Sequence, residues 1–357
     1  MPGNTTELSL STALDTDDNA DYLTLSLANS LRTVDALFNN VTGHNHGGAH
    51  QGGAIAAAAI PGGSISNAML GADVARDSLL TNGGFEIWQR GTGPFTEAGT
   101  HPFFADKWQC VAQSADTFSV VRNTANVDTG SLACAAATFA LSGGAGASFI
   151  HQTLRISESN QLIGRTISLS MRVNVGVASA VRVGINSDGA GGTTTYSPFH
   201  SGSGGYQTLT ASVTVPSNAT YVDLNIYFAA SCTAYLDNAM LVVGSQAANY
   251  VPMHPADDFA RCLRYYEVVG ALQNEIVFTF YGGAGITTGT LFGFKARKAI
   301  TPTFTKNATW LVSNCGQPII LSGSVDTVSL AVLVTATGTT SYNNNIAGAN
   351  VVMEANP

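Results

Sequence analysis

The sequence predicts a mainly β chain with four parts: an N-terminal α-helical segment, a Gly/His-rich neck, a jelly-roll β-sandwich and a smaller C-terminal β-domain. Three observations lead there. Apolar residues alternate with polar ones at a period of two through much of 79–251 and again after 269. One apolar stripe at heptad spacing precedes residue 42, and glycine and histidine crowd the stretch that follows it. Charged residues make up 11% of the 357, against about 25% in an ordinary soluble protein. Lysine is scarcest, with only Lys107, Lys295, Lys298 and Lys306. The 45% of hydrophobic residues is enough to bury a core, so general disorder is excluded.

Residues 1–42 carry Asp15, Asp17 and Asp18 ahead of Leu27, Leu31, Val34, Phe38 and Val41. Acids suit the positive end of a helix, and the 4-3-4-3 spacing makes a seam for self-association or, as the competing reading, an amphipathic face packed on its own chain. A helix from Ala20 to Val41 would be about 33 Å long at about 1.5 Å per residue. In residues 43–78 the run GHNHGGAHQGG holds too much glycine for a regular element without outside contacts. Within 79–251 the alternations Ile167–Val175, Val181–Ile185, Leu209–Val215 and Val222–Phe228 describe antiparallel strands with one wet face. Turn clusters at Ser142–Gly146, Asp188–Gly192, Ser201–Gly205 and Pro216–Asn218 separate them, the pattern of a sandwich. In 252–357, Pro255 and the acids after it open a helical run, ADDFARCLRYYEVV. Strand patterns then return, clearest at Val328, Leu330, Val332 and Val334.

A net charge of −8 argues against nucleic-acid and anionic-membrane partners. No stretch of 18 apolar residues predicts a membrane span, and MPGNTTELSL does not read as a secretory signal. Five cysteines without a CxxC pair read as reduced thiols. HExxH, GxSxG, P-loop and dinucleotide fingerprints are lacking, so the sequence predicts no enzyme. His44 and His46 share one side of an extended segment; three chains around an axis would offer six imidazoles to a transition metal, or pack them in a polar neck. Trp108, Tyr196, Tyr206 and Tyr221 are candidate sugar-contacting rings, since a flat apolar face beside amide donors suits a glycan. The frames FEIW and FADKW also read as core, for Trp88 and, as the competing reading, for Trp108.

LLTNGGFEIWQRGTG (79–93), FFADKWQ (103–109), AYLDNAMLVVGSQAANYVP (234–252) and DDFARCLRYYEVV (257–269) together resemble the tail-fibre and receptor-binding proteins of tailed bacteriophages. The GHNHGG neck resembles theirs as well. The resemblance implies a homotrimeric virion component, made in the host cytoplasm. Its N-terminus would attach to a tail or capsid protein, and a carbohydrate-binding-like jelly roll would meet a bacterial surface glycan. It also implies a structural Ca²⁺ where the first and last strands of the jelly roll meet, at Glu86 and Asp237 with Asp106 nearby. The competing reading of Glu86 is a local cap or a pair with Arg90. A virion decoration fibre without a specific ligand, or a glycan depolymerase, are the alternative functions.

Overall fold

The computed structural model describes residues 76–356 except 114, 144–147, 159–161 and 189–193. The seam Leu27/Leu31/Val34/Phe38/Val41 and the neck residues His44 and His46 lie outside the described residues. What is described is mainly β with several sheets and one short α-helix.

Eleven strands form the sandwich. They are β1 (Phe95–Glu97), β2 (Gln109–Val111), β3 (Thr117–Asn123), β4 (Cys134–Ala140), β5 (Ser148–Arg155) and β6 (Thr166–Val175). Then come β7 (Val181–Ser187), β8 (Thr194–Tyr196), β9 (Tyr206–Thr214), β10 (Tyr221–Phe228) and β11 (Cys232–Val243). A six-stranded sheet runs β1-β3-β4-β11-β6-β9, and a five-stranded sheet runs β2-β5-β10-β7-β8. All pairings are antiparallel. The inward residues of both sheets share one core, with Leu169, Met171 and Val173 of β6 joined to Val222, Leu224 and Ile226 of β10. Phe118, Phe139 and Phe228 meet there at centroid distances of 4.8–5.4 Å. Each such side chain contributes about 1.5–3 kcal/mol by leaving water.

The NGGFE segment takes no strand assignment, yet it runs against β11: Leu79 N–H donates to Leu241 O and Ala239 N–H to Gly83 O, both 2.8 Å. A Cβ on Gly83 would lie 2.3 Å from the Ala239 oxygen, so only glycine fits. Asn82 and Phe85 both have φ +53°. Asn82 is a hub: its backbone oxygen accepts from the Trp108 indole at 2.9 Å, and its side chain bonds both backbone groups of Ile87. Trp108 therefore stands in the core, wholly buried and stacked on Phe85 at 4.5 Å. This corrects its assignment as a sugar-contacting ring. Asp106 and Lys107 of the same segment are buried as well.

The helix α1 (Pro255–Leu263) starts at Pro255 as the sequence predicts, with the His254 side chain accepting from Ala256 N–H. It stops sooner than predicted, because Tyr266–Val269 form strand β12 instead. The following strands are β13 (Val277–Gly282), β14 (Thr287–Gly293), β15 (Thr303–Lys306), β16 (Leu311–Ser313), β17 (Ile319–Gly323), β18 (Thr327–Leu333), β19 (Gly338–Asn343) and β20 (Val351–Glu354). They make three small sheets, β12-β20-β15, β13-β19-β16 and β14-β18-β17, around a second core that includes Trp310, Tyr342, Leu330 and Met353. Arg90 ties this part to the sandwich. Its guanidinium reaches Asp106 at 3.0 Å and Glu354 at 2.9 Å and lies 3.9 Å from the Tyr266 ring centroid.

Candidate functional site

The outward residues of the five-stranded sheet are the candidate site. Strand alternation sends Val222, Leu224, Ile226 and Phe228 into the core, so Tyr221, Asp223, Asn225 and Tyr227 face away from it. Register then sets their neighbours. Phe149, Tyr227 and Arg182 lie side by side across β5, β10 and β7. The next row reads Gln109, His151, Asn225, Gly184 and Tyr196. Beyond it come Thr153, Asp223, Asn186 and Thr194.

Aromatic rings and hydrogen-bonding groups alternate over this face. Tyr196 and Tyr227 are 5.7 Å apart, and the Arg182 guanidinium lies 3.7, 4.6 and 4.9 Å from the centroids of Tyr196, Phe199 and Tyr227. Gly184 makes the floor: a Cβ there would stand 2.6 Å from the Tyr196 ring. Phe149 meets His151 edge-on at 5.2 Å, and His151 Nε2 shares a hydrogen bond with Gln109 at 2.9 Å. His151 Nδ1 is 3.8 Å from Asp223 Oδ1, too far for a hydrogen bond. Those two buried atoms, and Oδ1 of the 7%-exposed Asn225, have no hydrogen-bond partner among the described residues. Buried polar atoms without partners are costly, so this row of the face carries unmet hydrogen-bonding capacity. Burial, then Asp223 and Asp188, raise the Tyr221 hydroxyl pKa.

Of the rings singled out in the sequence, this face joins Tyr196 and Tyr221. Sequence reasoning missed Tyr227, Phe149, Asn225 and His151; the strict alternation of β10 was the signal that could have found the first and third.

Tyr206 belongs to the opposite sheet, where its hydroxyl donates to Asn126 O at 2.7 Å and Arg172 lies 5.7 Å from its ring. Nearby is a polar pocket of about 410 Å³ lined by residues that include Glu86, Asp128, Arg172, Asn238 and Tyr250. Glu86 and Asp237 do approach this region, but as acceptors for protein donors. Asp237 takes Asp128 N–H, Ser131 O–H and Asn238 N–H at 3.0, 3.2 and 2.8 Å, while Glu86 takes Leu132 N–H at 2.8 Å. Burial first, then the Asp128 charge, push the Asp237 carboxyl up to about 6 against those hydrogen bonds. Arg172 already holds Asp128 at 2.7 Å. Ca²⁺ needs six to eight oxygens, and acids occupied by N–H groups and a guanidinium fit it poorly. Asp106 is engaged by Arg90, and so Glu86 does not pair with Arg90. Among the described residues no group of three His, Cys, Asp or Glu gathers as a metal site.

Fold and site together define a class: a two-sheet antiparallel β-sandwich with a ring-and-amide face, carrying a smaller β-domain. No family model and no curated protein matches the chain. Among solved structures it is similar to a xylan-binding domain from CBM 22, at 14% identity and TM-score 0.30 over 40% of this chain and 89% of that one. It is likewise similar to the CBM22-1 xylan-binding domain of Paenibacillus barcinonensis Xyn10C, at 13%, 0.32, 48% and 97%. The enzymatically active domain of tailspike protein 4 of bacteriophage CBA120 overlaps at 12% and 0.31, over 47% of this chain and 21% of that one. Overlaps this low say nothing of what this chain binds.

Proposed function

We propose that the chain is a host-recognition fibre protein of a tailed bacteriophage, a homotrimer that binds a bacterial surface glycan without chemical turnover. The observation that carries the glycan reading is the outer face of the five-stranded sheet. Tyr196, Tyr227 and Phe149 offer flat apolar surface to sugar rings, and His151, Asp223 and Asn225 hold polar atoms without partners beside them. A sugar supplies what such a face needs, an apolar ring side and hydroxyls that both donate and accept.

The test is glycan-array binding of the purified chain, followed by titration of Tyr227→Ala and Asn225→Ala. Each variant should lose at least tenfold in affinity, about 1.4 kcal/mol, while keeping its thermal midpoint. No array signal, or wild-type affinity in both variants, overturns the reading.

The trimer draws support from the predicted seam and from the C-terminal sheets. Leu291, Ile319, Leu321 and Leu333 on the β14-β18-β17 sheet are each more than half exposed. Between Ala308 and Met353 the sole charged residue is Asp326. Uncharged apolar patches of this kind mark association surfaces.

A further inference from the structure

A second pocket, of about 280 Å³, lies where the sandwich meets α1 and the two residues that follow it. Its lining includes Lys107, Arg261, Arg264, Tyr265, Thr81 and Thr153, and no lining residue is acidic. Three cations thus converge on one cavity in a chain of net charge −8 with 15 Lys and Arg in total. Lys107 is 4% exposed, and its ammonium stands 3.9 Å from the Tyr265 ring centroid. Arg261 donates to Ser78 O at 3.0 Å and feels Asp258, whose carboxylate accepts Asn82 N–H at 2.8 Å. Arg264 is exposed at the rim, 6.0 Å from the same ring. Concentrating positive charge beside low-dielectric walls focuses the field on an anion, and guanidinium groups pair with a carboxylate in two-pronged fashion.

The pocket also adjoins the sheet face. Thr153 lines it and stands directly opposite Asp223 in the β5–β10 register. We infer that the pocket receives the carboxylate of an acidic sugar unit, so that the glycan on the sheet face is an acidic one. The identification of the ligand as a glycan rests on the function proposed above; the anion site itself does not. About 280 Å³ is at the small end for a ligand pocket and suits a single sugar ring. Tyr265 and the Thr81 and Thr153 hydroxyls supply an apolar wall and hydrogen-bonding groups.

The test is titration of the full chain with sodium glucuronate, glucose and inorganic phosphate. Glucuronate should bind at least tenfold tighter than glucose, and weaken as salt rises. Lys107→Met and Arg264→Gln should each cut glucuronate affinity about tenfold. Arg297→Gln, which removes an exposed cation elsewhere, should not. Should buried Lys107 prove necessary for folding, the exposed Arg264 carries the test alone. Equal binding of glucuronate and glucose, phosphate binding without glucuronate binding, or an unaffected Arg264→Gln overturns the proposal. If neutral glycans fail to bind while glucuronate still does, the sheet-face reading falls and the anion site stands.

Discussion

Trp108 and Tyr227 are both large aromatics in the sandwich, and burial separates their roles. Trp108 is fully buried with its indole N–H on Asn82 O, so Trp108→Ala should cost about 3–5 kcal/mol in denaturant unfolding. Tyr227→Ala should instead cost binding and little stability. The sequence frame FADKW pointed to the core, yet a tryptophan beside polar residues also suits a sugar ring, and the sequence alone left both readings open. In the fold each charge has its own answer, Arg90 for Asp106 and the Tyr265 ring for Lys107. Asp116 gives a pH prediction. Burial raises its carboxyl pKa, but the Ser142 N–H and the Ser148 and Ser142 hydroxyls outweigh that and hold it below the usual range. A carboxyl depressed in the folded state stabilises it above the unfolded value of about 3.9, and this support fades as pH falls through the lower folded value. Asp116→Asn should therefore destabilise the chain by about 1–2 kcal/mol at pH 7 and lose that part of the acid-range slope. Thermal midpoints at pH 7 and pH 3 would check it. Chelator should leave the wild-type midpoint unchanged, since Asp237 and Glu86 are satisfied by protein donors; a fall of several degrees would restore the Ca²⁺ reading.

At the scale of elements, the long alternating strands β6, β7, β9 and β10 were legible because one face of each is buried, which imprints the period of two. The short strands were not. β12 was read as a continuation of α1, since Tyr, Glu and Val sit acceptably in either state and its partner β20 lies more than 80 residues on. The NGGFE motif was read as a strand; its two residues at φ +53° and the hydrogen bonds of Asn82 make it a corner whose task is to seat Trp108. The pairing of that corner with β11 was legible, through the resemblance. The Arg90 clamp was not, because Asp106 and Glu354 stand 16 and 264 residues from it. Arg90→Ala should leave the fully buried Asp106 without its counter-charge and cost about 3–5 kcal/mol. Arg90→Lys should recover only part of that, since an ammonium lacks the planar fork that reaches Asp106 and Glu354 while lying over the Tyr266 ring. Urea unfolding of the three proteins would rank them.

For the whole molecule, light scattering should return three times 36.8 kDa, with Leu321→Lys and Leu333→Lys together lowering the assembled fraction. A monomer at micromolar concentration in the wild type would remove the homotrimer. The middle position of β20, between β12 and β15, has a consequence for biosynthesis. At about 5–20 residues per second, roughly ten seconds separate the making of β12 from that of the strand it must pair with. Through that interval Tyr266–Val269 and Thr303–Lys306 are two ribbons awaiting a common neighbour. Glu354, arriving with that neighbour, delivers the carboxylate that Arg90 has been held ready for. A ribosome that stalls before Val351 would release a chain with a closed sandwich and an open, sticky second half, so proteolysis of nascent products should cut first after residue 266.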